Sequence, residues 1–181
     1  AQKDRAIGAT GKCWAQKLRH LQKSGARITE ELKIALKYFE QFFRRNDGKL
    51  PERWSPTAQA AVLEAVRLYV QFTTQGLVTA QSYLEAALRD TSHTSAQWPS
   101  AAEVLLIEAL ARQDRMEEAG RRLALLTKPS ANLMSLLKSL GQLDKPSRSL
   151  MQRQQAARLQ LMTVSYLQQV WDELSDADQL F

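Results

Sequence analysis

The chain has 181 residues, 44% apolar and 24% charged, with a single cysteine and a formal charge of +6. That length supplies one domain-sized core. The lone Cys13 excludes an internal disulfide framework, and no apolar run approaches the roughly 20 residues of a membrane span. With seven Gly and five Pro there are few turns, and good helix formers dominate the composition. Lys3, Asp4 and Arg5 are followed by no apolar segment, so no signal-peptide pattern opens the chain. The expectation is cytoplasmic; because the chain begins at Ala1, a periplasmic site stays open if a leader has been removed. Charge is uneven: residues 1–53 hold 13 basic and 6 acidic side chains, and residues 54–181 hold 12 and 13.

Gly8 and Gly11 make residues 1–11 read as a ragged lead-in, with Thr10 placed to cap a helix. From Lys12, the spacing of Trp14, Leu18 and Leu21 predicts a helix that ends at Ser24-Gly25. Thr29 ahead of Glu30 and Glu31 predicts the cap of a second helix. Its stripe is Leu32, Ala35, Leu36, Phe39, Phe42 and Phe43, and Asn46-Asp47-Gly48 stops it. Leu50 to Pro56 is a linker. Ser55 or Thr57 then caps a third helix, with Pro56 in its first turn and a stripe of Ala61, Val62, Ala65, Val66, Tyr69 and Val70. A fourth helix carries Leu77, Ala80, Tyr83, Leu84, Ala87 and Leu88.

After a polar loop at residues 90–97, a fifth helix carries Ala102, Leu105, Leu106, Ala109 and Leu110. A sixth carries Met116, Ala119, Leu123, Leu125 and Leu126. Lys128-Pro129-Ser130 breaks the chain, and Leu133 to Leu140 predicts a short seventh helix. Beyond Gly141–Pro146 a long last helix runs from Ser147 to about Leu174. Its stripe is Leu150, Ala157, Leu161, Val164, Leu167, Trp171 and Leu174, close to a heptad seam.

A shift of 39 residues superimposes Leu77 on Met116, Ala80 on Ala119, Leu84 on Leu123 and Ala87 on Leu126, with the breaks Gln75-Gly76 and Asp114-Arg115 also aligned. A two-helix period of this size marks an α-solenoid. The small-bulky-small spacing in the second helix of each unit resembles the tetratricopeptide repeat family over about residues 60–127. The resemblance implies a binding scaffold with a concave groove. The family's first-helix pattern is absent, since no Gly occurs in Ala58–Thr74 or Ser100–Gln113, so no peptide-binding residue is carried over. An ordinary helical bundle stays open as the alternative.

Gly8-Ala-Thr-Gly11-Lys12-Cys13 resembles a phosphate loop only superficially. Ala6 stands where the first Gly is needed, and Cys13 replaces the Mg²⁺-binding hydroxyl. His20, His93 and Cys13 do not form a zinc set at ligand spacing. Cys13 and His20 lie two helical turns apart, about 10 Å, which is too far for nucleophile and base. Glu30-Glu31 and Glu117-Glu118 are adjacent and point different ways on a helix. The basic block of Lys12, Lys17, Arg19, Lys23, Arg27, Lys33, Lys37, Arg44, Arg45 and Lys49 could neutralise phosphates. The aromatic residues between these cations fall on apolar stripes and read as core.

The expectation is therefore all-α: antiparallel helix pairs stacked as a short right-handed solenoid within one domain, residues 1–181. It comprises a basic pair (1–53), two central repeats (54–127) and C-terminal helices (128–181) closed by a long capping helix. The expected function is a non-catalytic scaffold for another protein or peptide, with nucleic-acid binding as the alternative. No cofactor, metal or catalytic residue is expected. The candidate binding surface is Lys12, Lys17, Arg19, Lys23, Lys33, Lys37, Arg44 and Arg45.

Overall fold

The computed structural model describes residues 2–90, 97–126, 136, 140–141 and 149–178. Within them the chain forms seven helices and no strand. These are α1 (Gln2–Lys23), α2 (Thr29–Glu40), α3 (Pro56–Phe72), α4 (Leu77–Arg89), α5 (Gln97–Arg112), α6 (Met116–Ala124) and α7 (Leu150–Asp178). They belong to two compact units, Ala1–Ala102 and Glu103–Phe181, whose boundary falls inside α5.

In the first unit α3 is the hub and packs against α1, α2 and α4. Ser55 caps it by accepting from the Ala58 N–H at 3.2 Å, with Pro56 in the first turn as expected. Three neighbours bury more of α3 than one stripe. Ala58, Ala61, Val62, Ala65, Val66, Leu68 and Val70 are buried, and so are the polar Gln59 and Glu64. The alanines keep the crossings close.

The start of α1 corrects the sequence reading. Residues 2–11 are helix, not lead-in, and Thr10 does not cap: its hydroxyl donates to the Ala6 carbonyl at 2.9 Å inside the helix. The buried stripe is Ile7, Gly11, Ala15 and Leu18, while Trp14 and Leu21 are half-buried. Gly11 is a packing residue. A Cβ there would lie 2.1 Å from Glu64 Oε2, so α1 meets α3 at a point with no room for a side chain. Gly25, at φ +75°, ends α1 as expected, with the Ala26 N–H returning to the Leu21 carbonyl at 3.0 Å.

Two further expectations change in α2. Ile28, not Thr29, occupies its N-cap and offers no side-chain bond. Phe42 does not join Leu32, Ala35, Leu36, Phe39 and Phe43 in the core; it is exposed, because α2 ends at Glu40 and the following turn rotates it outward.

Of the two central helix pairs expected, α3 and α4 pack against each other. In α4 Leu77, Ala80, Tyr83, Leu84 and Ala87 are buried, and in α6 Met116, Ala119, Gly120 and Leu123 are buried. Ala80 and Ala119, equivalent under the 39-residue shift, are both wholly enclosed. Asp114, at φ +61°, makes the turn between α5 and α6, and Arg122 reaches Glu103 at 3.2 Å. Leu125, expected in the stripe of α6, falls beyond the helix end and is exposed. Of the expected seventh helix, Leu136 and Leu140 are helical and buried. Its other positions, the neighbouring breaks and most of the polar loop lie outside the described residues.

In the second unit α6 packs on α7. Ser149 and Gln152 cap α7 reciprocally: the Gln152 N–H donates to Ser149 Oγ at 3.3 Å, and the Ser149 N–H donates to Gln152 Oε1 at 3.1 Å. The face α7 buries is Ala156, Leu159 and Thr163. Four members of the expected stripe lie elsewhere: Leu150 is 70% exposed, Leu161 67% and Val164 44%, and Ala157 is exposed with them, while the side chains of Leu167, Trp171 and Leu174 lie outside those described.

Replacing Ala80 or Ala119 by Trp should overpack a closed crossing and cost about 1–3 kcal/mol, read as a lower melting temperature. An unchanged melting temperature would contradict the packing described for these helices. Burial also holds the Glu64 carboxyl above its usual range, against the opposing pull of Arg67 and Lys12. An acid raised in the folded state stabilises the fold while protonated, and that contribution is lost as pH rises through the folded value. The melting temperature of Glu64→Gln relative to the parent should therefore climb from acid to neutral pH; a flat or falling difference would contradict the assignment.

Candidate functional site

The basic block is expected on α1 and α2, and the structure distributes its members among different tasks. Lys17 pairs with Glu31 at 2.6 Å, joining the two helices, and Lys33 pairs with Glu30 at 2.9 Å. Arg45 sits 3.8 Å from Asp47 in the turn after α2. Arg44 is drawn into the first unit. Lys12, Arg19, Lys23 and Lys37 remain exposed, with Arg19 Nε donating to the Ala15 carbonyl at 3.1 Å. Lys12, Arg19 and Lys23 share one ridge of α1, and Arg5 extends it by two turns. Arg5 was missed in the sequence because residues 1–11 did not read as helix. Gly8 to Cys13 lies within α1, and Cys13 and His20 are exposed on it.

Arg44 belongs to a knot of polar and aromatic side chains joining α2, α3 and α4. The Tyr83 hydroxyl donates to Glu40 Oε1 at 2.7 Å, and the Tyr69 hydroxyl to the same oxygen at 3.3 Å. Arg44 Nε lies 3.2 Å from the other Glu40 oxygen, and its guanidinium also donates to the Tyr83 hydroxyl and, at 2.8 Å, to the Gly48 carbonyl. Burial, then Glu40, pushes the Tyr69 phenol up to about 12; burial and the hydrogen bond to Glu40 push Tyr83 up as well. Both phenols stay neutral at any physiological pH, so they tie helices together and supply no base. Gly76 seats Tyr69: a Cβ there would fall 2.1 Å from the ring.

Trp54 closes the same region. It stacks on Phe43 at 5.7 Å, its peptide N–H donates to Asp90 Oδ2 at 2.7 Å, and its carbonyl accepts from Gln59 Nε2 at 3.1 Å. Its indole N–H is buried without an acceptor among the described residues. These contacts spend the polar groups of the linker on architecture. Among the described residues no three of His, Cys, Asp and Glu converge on a point, and no helix is long and apolar enough to cross a membrane.

The second unit contains a groove of about 510 Å³ between α6 and α7. Met116, Gly120 and Ala124 line one side, and Leu159 and Met162 the other. Gly120 opens the floor: a Cβ there would stand 3.7 Å from the Met162 sulfur, in ordinary contact. Glu117, Arg121, Gln155 and Arg158 form the rim. Arg112, Arg115 and Arg122 of this unit pair with carboxylates, whereas the exposed Arg121 and Arg158 form no ion pair among the described residues. The sequence reading missed this site. The available signal was Gly120 among good helix formers in α6, where a glycine needs a packing reason.

With the geometry in view, no family model matches this chain, no curated protein matches it, and no solved structure matches it.

Proposed function

We propose that this chain is a non-catalytic helical-repeat module that binds another protein, and that the α6–α7 groove is its contact surface. The observation carrying this reading is an open apolar floor, including Met116 and Met162, beneath Arg121 and Arg158, which form no ion pair among the described residues. Methionine floors adapt to varied apolar side chains. Unpaired guanidiniums at a rim favour a partner bearing carboxylates. The fitting partner is an acidic amphipathic helix, its apolar residues set between the two helices. The matching burial of Ala80 and Ala119, and of Leu84 and Leu123, supports a tetratricopeptide-like repeat as the frame.

A second reading, nucleic-acid binding, is favoured by the α1 ridge of Arg5, Lys12, Arg19 and Lys23. In addition, Ile34 is 55% exposed and Phe42 is exposed near Lys37, so part of the apolar set of α2 faces outward. One titration separates the two. A fluorescein-labelled acidic amphipathic peptide with leucines on one face should bind, and Met162→Glu and Arg158→Glu should each weaken it about tenfold. Absence of binding, or an affinity unchanged from the parent in both variants, would contradict the groove. A labelled single-stranded oligonucleotide serves as the second arm. Binding that falls steeply with salt and is lost on Arg5→Glu with Lys12→Glu would move the function to the α1 ridge.

A further inference from the structure

The last helix carries a second apolar face. Ala156, Leu159 and Thr163 are buried, but Leu150, Ala157, Leu161 and Val164 lie on the opposite side of the cylinder, in solvent. At 100° per residue the two sets are centred more than a quarter-turn apart, so neither is a fringe of the other. The groove residues Arg158 and Met162 lie between this face and the buried set, with Arg158 about 60° around the cylinder from Leu161, so the face adjoins the groove without including its floor. The exposed set is spaced 7, 4 and 3, and Leu167, Trp171 and Leu174 continue the period in the sequence. A near-heptad apolar period is what a second helix needs in order to stay in register alongside.

Charge selects that second helix. Between 150 and 164 the charged residues are Arg153 and Arg158, with no acid. Between 165 and 178 they are Asp172, Glu173, Asp176 and Asp178, with no base. The helix is thus basic in one half and acidic in the other. Its best complement is a copy of itself running the other way; a parallel copy would set like charges together. With Val164 near the two-fold axis, the basic half of one helix runs beside the acidic half of the other. An interface of this kind is isologous and closes at two subunits.

We propose that two copies of this chain pair antiparallel through the outer face of α7. The 29-residue helix is about 43 Å long, enough for several interlocking layers.

Sedimentation velocity of the full chain over a concentration series should show a monomer–dimer equilibrium that weakens with salt. Leu161→Glu alters a residue that is 67% exposed in the single chain, so circular dichroism and melting should be preserved while the dissociation constant rises roughly 100-fold. Leu150→Glu provides a second disruption at the other end of the stripe. In a Cys13→Ser background, Val164→Cys should form an interchain disulfide under mild oxidation and Leu150→Cys should not. A monomer at every concentration, or a dimer that survives both glutamate variants, would overturn the proposal. Cross-linking through Leu150→Cys would overturn the antiparallel arrangement.

Discussion

The first unit depends on burying α3 against three other helices at once. No single stripe could serve three neighbours, so the helix is apolar around most of its surface and built from alanines where the others cross it. That demand reaches into the partners. Gly11 is glycine because α1 must pass over the Glu64 side chain, and Gly76 is glycine because Tyr69 occupies the space a Cβ would take. It also brings polar groups inside. Glu64 and Gln59 are buried on α3, and Tyr69 projects toward Glu40. Buried polar groups are tolerated when satisfied. Here Arg67 answers Glu64, the Trp54 carbonyl answers Gln59, and the Glu40–Arg44 pair answers both tyrosines.

Much of this was legible in the sequence where the physics is local. Ser55-Pro56, Gly25 and Asp114 act through their own backbone geometry, and the helix boundaries they imply are those observed, whereas α2 ends at Glu40, well before the expected stop at Asn46-Asp47-Gly48. The errors arose where a distant contact decides. Gly11 reads as a breaker until α3 is known to lie against it, whereas Gly8 has open space around its Cβ position and is carried by the helix around it. The polar knot joins residues 29 and 43 positions apart, and no local pattern announces it. The face of α7 was misassigned for a different reason. Its buried side is made of Ala156, Thr163 and half-buried glutamines around Leu159, while its leucines at 150 and 161 point outward. Hydrophobic periodicity finds the more apolar face, which here is not the one the unit covers.

The division of labour between the two units follows from what packing leaves over. In the first unit the aromatic and polar groups near the α2–α3 linker are committed to one another, and four of the eight cations singled out from the sequence have carboxylate neighbours. Among the described residues of the second unit an apolar groove and an apolar helix face remain open, the groove beneath Arg121 and Arg158.

The central structural claim is that α3 is the last element of the first unit to open. Native-state amide hydrogen exchange tests it most directly, because local opening energies rank the elements of a fold. The expected result is that amides in the middle of α3, from Val62 to Leu68, exchange only through global unfolding, while α1 opens sooner. Exchange of these α3 amides before those of α1 or α4 would contradict the claim.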